Sequence, residues 1–109
     1  MEKRKYPRLD VELPMGYLIH SPDSDKSSAG MGVLKNISQG GMLFKCPPPL
    51  PIDAGDIRDF TIAAMPTMRH ISRLKALGKV VRIEPSEENH FDFGIAVQFL
   101  SDLNIEIQR

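Results

Sequence analysis

A chain of 109 residues holds one domain with a real core and leaves no room for a second. Lys and Arg (14) balance Asp and Glu (14), and only 6% of residues are aromatic, with no Trp; this excludes the positive excess of a duplex binder and the exposed aromatic row of a single-strand binder. A lone cysteine, Cys46, excludes an internal disulfide framework, and no apolar run approaches membrane-spanning length.

In chain order, residues 1–8 read as a flexible basic arm carrying Lys3, Arg4, Lys5 and Arg8. The first residues are charged and no apolar stretch follows them, so no leader and no membrane insertion are expected, and the expected location is the cytoplasm. Alternation then marks half-buried strands. Leu9, Val11, Leu13, Met15, Tyr17 and Ile19 share one face, with a bend or bulge expected at Pro14 and Gly16. Ser21 to Gly30 reads as a mobile hairpin loop, and the proline run after Cys46 as an extended connection outside the sheet. Phe60, Ile62 and Ala64 form a short stripe. Leu77, Val81 and Ile83 alternate imperfectly, which places a bulge near Gly78. Pro85 to Asn89 reads as a polar turn, and Phe91, Phe93, Ile95, Val97 and Phe99 give the cleanest stripe.

Six strands result, near 8–19, 31–37, 41–46, 56–65, 70–84 and 91–100. Short connections between them predict an all-β fold, a six-stranded antiparallel β-barrel spanning 9–100. Residues 101–109 allow at most a short C-terminal helix, with Ser101 or Asp102 as its cap.

Two motifs carry the chemistry. Arg4-Lys5-Tyr6-Pro7-Arg8 places two guanidinium groups four residues apart. Pro7 disfavours a helix there, and in an extended chain residues four apart point to the same side. Asn36-Ile37-Ser38-Gln39-Gly40-Gly41 sets a carboxamide, a hydroxyl and glycines in a polar turn between apolar runs. A guanidinium fork pairs with phosphate and with the O6 and N7 edge of guanine, and Asn and Ser can complete the reading of the base. Alone, the first motif reads as a solvated basic tail and the second as an ordinary strand turn; only the two together, in this order, point to a shared ligand.

With RxxxR followed by [D/N]xSxxG in this order, the chain resembles the PilZ domain family, bacterial receptors for cyclic di-GMP. The likeness runs on through Gly78-Lys79-Val80-Val81-Arg82 and Phe93 to Phe99, and so covers nearly the whole chain. The resemblance implies the same barrel, usually with a C-terminal helix, and a cyclic di-GMP site made by Arg4, Arg8, Asn36, Ser38 and Gly41. It implies additional contacts from Lys3, Lys5 and Arg82. A basic residue at Lys3 accompanies, in that family, an intercalated ligand dimer. Arg82 stands where the family often packs a side chain on a guanine face; a solvated strand residue is the alternative there. The expected partners are cyclic di-GMP and a downstream protein, with no DNA or RNA. The alternative is a PilZ-like interaction module that binds no nucleotide, as in type IV pilus assembly, where the arginine motif is typically missing.

No catalytic constellation emerges. His20, His70 and His90 have no Cys, His or carboxylate at metal-ligand spacing, Cys46 has no base beside it, and the carboxylates are scattered. No enzyme activity, metal or cofactor is expected.

Overall fold

A computed structural model of the chain describes residues 9–67, 70–86 and 92–108. Seven strands follow one another in it: β1 (Leu9–His20), β2 (Ser27–Ile37), β3 (Gly41–Cys46), β4 (Ile57–Thr67), β5 (His70–Pro85), β6 (Phe93–Phe99) and β7 (Asn104–Gln108). Pairing runs β4-β1-β2-β3-β6-β5, and a β4–β5 ladder closes the circuit, every pair being antiparallel. Six strands therefore form a closed barrel, which leaves few backbone edges open to water or to stray pairing.

Alternation explains which side chains fill it. Met15, Tyr17 and Ile19 of β1, Met42, Phe44 and Cys46 of β3, Phe60 and Ile62 of β4, and Ile95 and Val97 of β6 point inward and are buried. Phe44, Val80 and Ile95 have no exposed surface at all, and the rings of Tyr17 and Phe44 meet at 6.0 Å. Ile52, in the proline-rich connection after β3, is buried against the same cluster.

Several local expectations need correction. In β1 the register shifts between Asp10 and Leu13, not at Pro14 or Gly16, which pair regularly with Val33 and Met31. Pro14 precedes the β4 ladder, which begins at Met15, so β1 has a partner on one side only where the proline stands. In β5 the bulge lies between Val80 and Arg82 rather than at Gly78. Val80 is buried and Val81 is exposed, the reverse of the phase read from the sequence. Gly78 serves packing instead: a Cβ there would lie 2.5 Å from Val97 Cγ1. The loop of residues 21–30 is shorter than expected, since β2 begins at Ser27 and Ser21 N–H donates to Lys26 O at 3.0 Å.

The C-terminal segment forms a strand, not a helix. β5 is 16 residues long and outruns β6, leaving an edge at Ile71 to Lys75 that β7 occupies from Gln108 to Asn104. A strand there gives that edge backbone partners that a two-turn helix would not. Where β6 ends and β7 has not begun, Leu100 N–H donates to Leu77 O at 2.7 Å and Leu77 N–H donates to Ser101 Oγ at 2.9 Å. Ser101 thus patches a ladder rather than capping a helix. No helix of the described residues is long and apolar enough to cross a membrane.

Two outcomes test this packing. Phe44→Ala should lower unfolding stability by about 3–5 kcal/mol in urea titration, because the emptied site is walled by strands that cannot collapse onto it; a loss under about 1 kcal/mol would place Phe44 outside the core. Burial, with Asp92 nearby, pushes the Cys46 thiol up to about 11, against a hydrogen bond donated by the Tyr17 hydroxyl. The folded state then holds a proton that the unfolded thiol releases from about pH 9. The urea midpoint should therefore fall as pH rises from 9 towards 11, and fall less in Cys46→Ala; identical profiles for the two proteins would contradict this.

Candidate functional site

Bulges in two strands decide which side chains reach the outer wall of the barrel. In β2 the register shifts between Leu34 and Asn36, so Lys35 is the extra residue. Leu34 keeps its place in the core, and Asn36 comes to lie opposite Leu43, on the face away from it. In β5 the shift around Val81 does the same for Arg82, which lies opposite Ala96. Leu43 and Ala96 are themselves partners. Asn36, Leu43, Ala96 and Arg82 thus form one continuous row across four strands, about 14 Å long at normal strand spacing. A second row, Gly41, Gln98 and Lys79, runs beside it.

At the head of these rows stands the β2–β3 turn. Ser38 N–H donates to Gly41 O at 2.9 Å, and Gly40 N–H donates to Ser38 Oγ at 3.1 Å. The hydroxyl spends an acceptor position holding the turn and keeps its proton available for another partner. Phe99 N–H donates to Gly40 O at 2.9 Å, which ties the turn to the end of β6. Gly41 is needed here for room: a Cβ would lie 2.4 Å from Val97 O. Positive φ plays no part, since Gly55 is the glycine of the described residues that adopts it.

The row from Asn36 to Arg82, Gly41 and Gln98 of the second row, and the β2–β3 turn line an open cleft of about 630 Å³, within the size range of small-molecule sites. Asn36, Ser38, Gly41 and Arg82, all singled out from the sequence, border it, as do Gln98, Ser101 and Asp102. Arg82 is ion-paired with Glu84, and both side chains are more than half exposed. An exposed pair of this kind is worth about 0–1 kcal/mol, so a bound anion can draw Arg82 away. Among the described residues bordering the cleft, Arg82 is balanced by Asp102, so these residues alone form no strongly positive site. Lys3, Arg4, Lys5 and Arg8 lie outside the described residues. The strand that follows them begins at Leu9, which pairs with Ile37, the residue between Asn36 and Ser38.

Gln98, Leu43 and Ala96 escaped the sequence reading. Alternation puts them on the outer face, yet only the pairing register reveals which neighbours they share. Among the described residues no group of three His, Cys, Asp or Glu side chains could hold a metal ion.

Among solved structures, the chain is similar to the Bacillus subtilis inhibitor of motility MotI/DgrA, with a TM-score of 0.69 at 19% identity, over 94% of this chain. It spans 44% of that protein's length. It is also similar to the PilZ domain of YcgR from Escherichia coli, solved with c-di-GMP, with a TM-score of 0.62 at 17% identity, over 92% of this chain and 79% of the other. At such identities the likeness concerns the fold. No curated protein matches the sequence. Residues 2–109 match the PilZ domain as a sequence family, and with that match over nearly its full length the chain belongs to the PilZ domain family.

Proposed function

We propose that this domain is a receptor for cyclic di-GMP that orders its N-terminal arm over the cleft when the nucleotide binds. Arg4 and Arg8 clamp phosphate and the guanine edge, because a planar guanidinium makes paired, charge-assisted hydrogen bonds to both. Asn36 and the free proton of Ser38 hydrogen-bond a base at the barrel rim, Gly41 lets the turn sit close to β6, and Arg82 stacks on a guanine face. Lys3 and Lys5 add positive charge near the phosphates.

One observation carries this reading: β1 starts opposite Ile37, in the middle of the second motif. A peptide unit spans about 3.8 Å and paired strand residues lie about 5 Å apart, so the start of β1 at Leu9 leaves only a short reach for the preceding residues to meet a ligand held by Asn36 and Ser38. Charge supports it as well. Opposed by Asp102 and paired with Glu84, Arg82 is a weak anion site, and the arm holds the cations that a bis-phosphate ligand needs. Binding would then fold the arm onto the barrel and alter the surface shown to a downstream protein, an order–disorder switch. No turnover belongs to this reading. A cytoplasmic location follows from the ligand, a second messenger made and sensed inside bacteria.

Isothermal titration calorimetry of the purified chain with cyclic di-GMP, at low salt and micromolar protein, should show saturable heat; none would defeat the proposal. Arg8→Ala should weaken binding at least tenfold, about 1.4 kcal/mol. An unchanged affinity would place the site elsewhere. With Lys3 recruiting a second, intercalated ligand, stoichiometry should be two nucleotides per chain and fall to one in Lys3→Leu; the same ratio in both proteins would remove that role from Lys3.

A further inference from the structure

The outer wall on the far side of β2 from the β3–β6–β5 rows is unusually poor in charge. Across β2, β1 and β4 the outward rows are Val33 and Pro14, then Met31, Gly16 and Ala63, then Ala29, Leu18 and Thr61. An antiparallel sheet that faces water normally alternates to polar residues on that side. Here Met31 is 69% exposed and Leu18 44%, and the residues around them are small. Two apolar knobs among hollows make a surface shaped to receive another.

Size and charge decide what fits. Three strands and about six residue steps give a face of roughly 14 by 20 Å, or about 300 Å². A stable dimer buries about 800 Å² per partner, so this face suits a small, reversible contact with one segment of a partner rather than a permanent second copy. A helix is about 10–12 Å wide, and about 14 residues of it span 20 Å, which matches the face in both directions. Along its long sides stand cations: Lys45 of β3 opposite Val33, and Arg73 and Lys75 of β5 opposite Ala63 and Thr61. Glu106 of β7 lies opposite Arg73 and meets Lys75 at 3.8 Å, an exposed pair worth about 0–1 kcal/mol that an incoming carboxylate can replace. Acidic residues sit at its ends, Asp10 and Glu12 at one and Asp59 at the other.

We infer that the outer face of β2, β1 and β4 docks a single amphipathic helix of a partner protein, its apolar stripe on Leu18 and Met31 and its acidic flanks against Lys45, Arg73 and Lys75. The helix lies along the strands. This docking does not depend on nucleotide binding, because none of these residues borders the cleft.

A photoreactive benzoylphenylalanine at position 31 of the full chain, in cells that make it naturally, tests this by mass-spectrometric mapping of the cross-linked segment. The expected product is a single partner joined through a helical segment with an apolar stripe and flanking Asp or Glu. Its yield should drop at least tenfold in Leu18→Asp, and likewise when Arg73 and Lys75 are both changed to Glu. A synthetic peptide of the mapped segment should bind the purified chain at least tenfold more tightly than Leu18→Asp, with both proteins folded by circular dichroism. Leu18→Asp should keep the parent's calorimetric response to cyclic di-GMP, whatever that response is. Cross-links to a second copy of this chain, to lipid or to a basic segment, no cross-link at all, or a yield indifferent to Leu18→Asp would each overturn the inference.

Discussion

Closure of the barrel is the constraint on which the rest depends. Six strands that complete a circuit cannot slide independently, because a one-residue slip anywhere would turn core side chains into solvent. Within that fixed frame two bulges act as the adjustable parts. An extra residue at Lys35 and another at Val81 reset the phase of β2 and β5, so Leu34 and Val80 stay in the core while Asn36 and Arg82 face out. A regular ladder would align neither with Leu43 and Ala96. The row that borders the cleft is thus a product of irregularity imposed on a closed sheet.

The β2–β3 turn complements this rigidity. Its backbone is held by Ser38 and Gly40, and Gly41 permits an approach to β6 that a larger residue would prevent. A rim fixed in this manner presents its polar groups in one geometry before any ligand arrives, which lowers the ordering cost of binding. The charge needed for an anionic nucleotide, by contrast, is concentrated in residues 1–8. On the proposed reading, shape recognition belongs to the barrel and charge recognition to the arm, so occupancy and arm position become one event. The uncharged wall of β2, β1 and β4 then offers a second surface, chemically unlike the first.

Much of the fold was legible because period-2 alternation survives wherever one face is buried. The stripes Met15-Tyr17-Ile19, Phe60-Ile62-Ala64 and Ile95-Val97 all mark true inward faces. The bulges are not legible in the sequence, because glycine and proline do not mark where they fall. Gly78 is there for want of space beside Val97, while the real bulge falls between Val80 and Arg82, where no residue type announces it. The C-terminal strand was missed for a different reason. Asn104 to Gln108 is too short to declare its state, and only the free edge of β5 made a strand the better solution. For the site, Asn36, Ser38, Gly41 and Arg82 could be named from motifs and resemblance. Their common cleft, and the parts of Gln98 and Ser101 in it, followed only from register.

The most direct measurement is a two-dimensional amide NMR titration of the assigned chain with cyclic di-GMP. Convergence of arm and rim on one nucleotide predicts that the amides of Arg4 and Arg8 shift along the same saturation curve as those of Asn36, Ser38, Gly41 and Gln98, while Leu18 and Met31 stay still. Shifts confined to the arm, or centred on a face remote from Asn36 and Ser38, would contradict it.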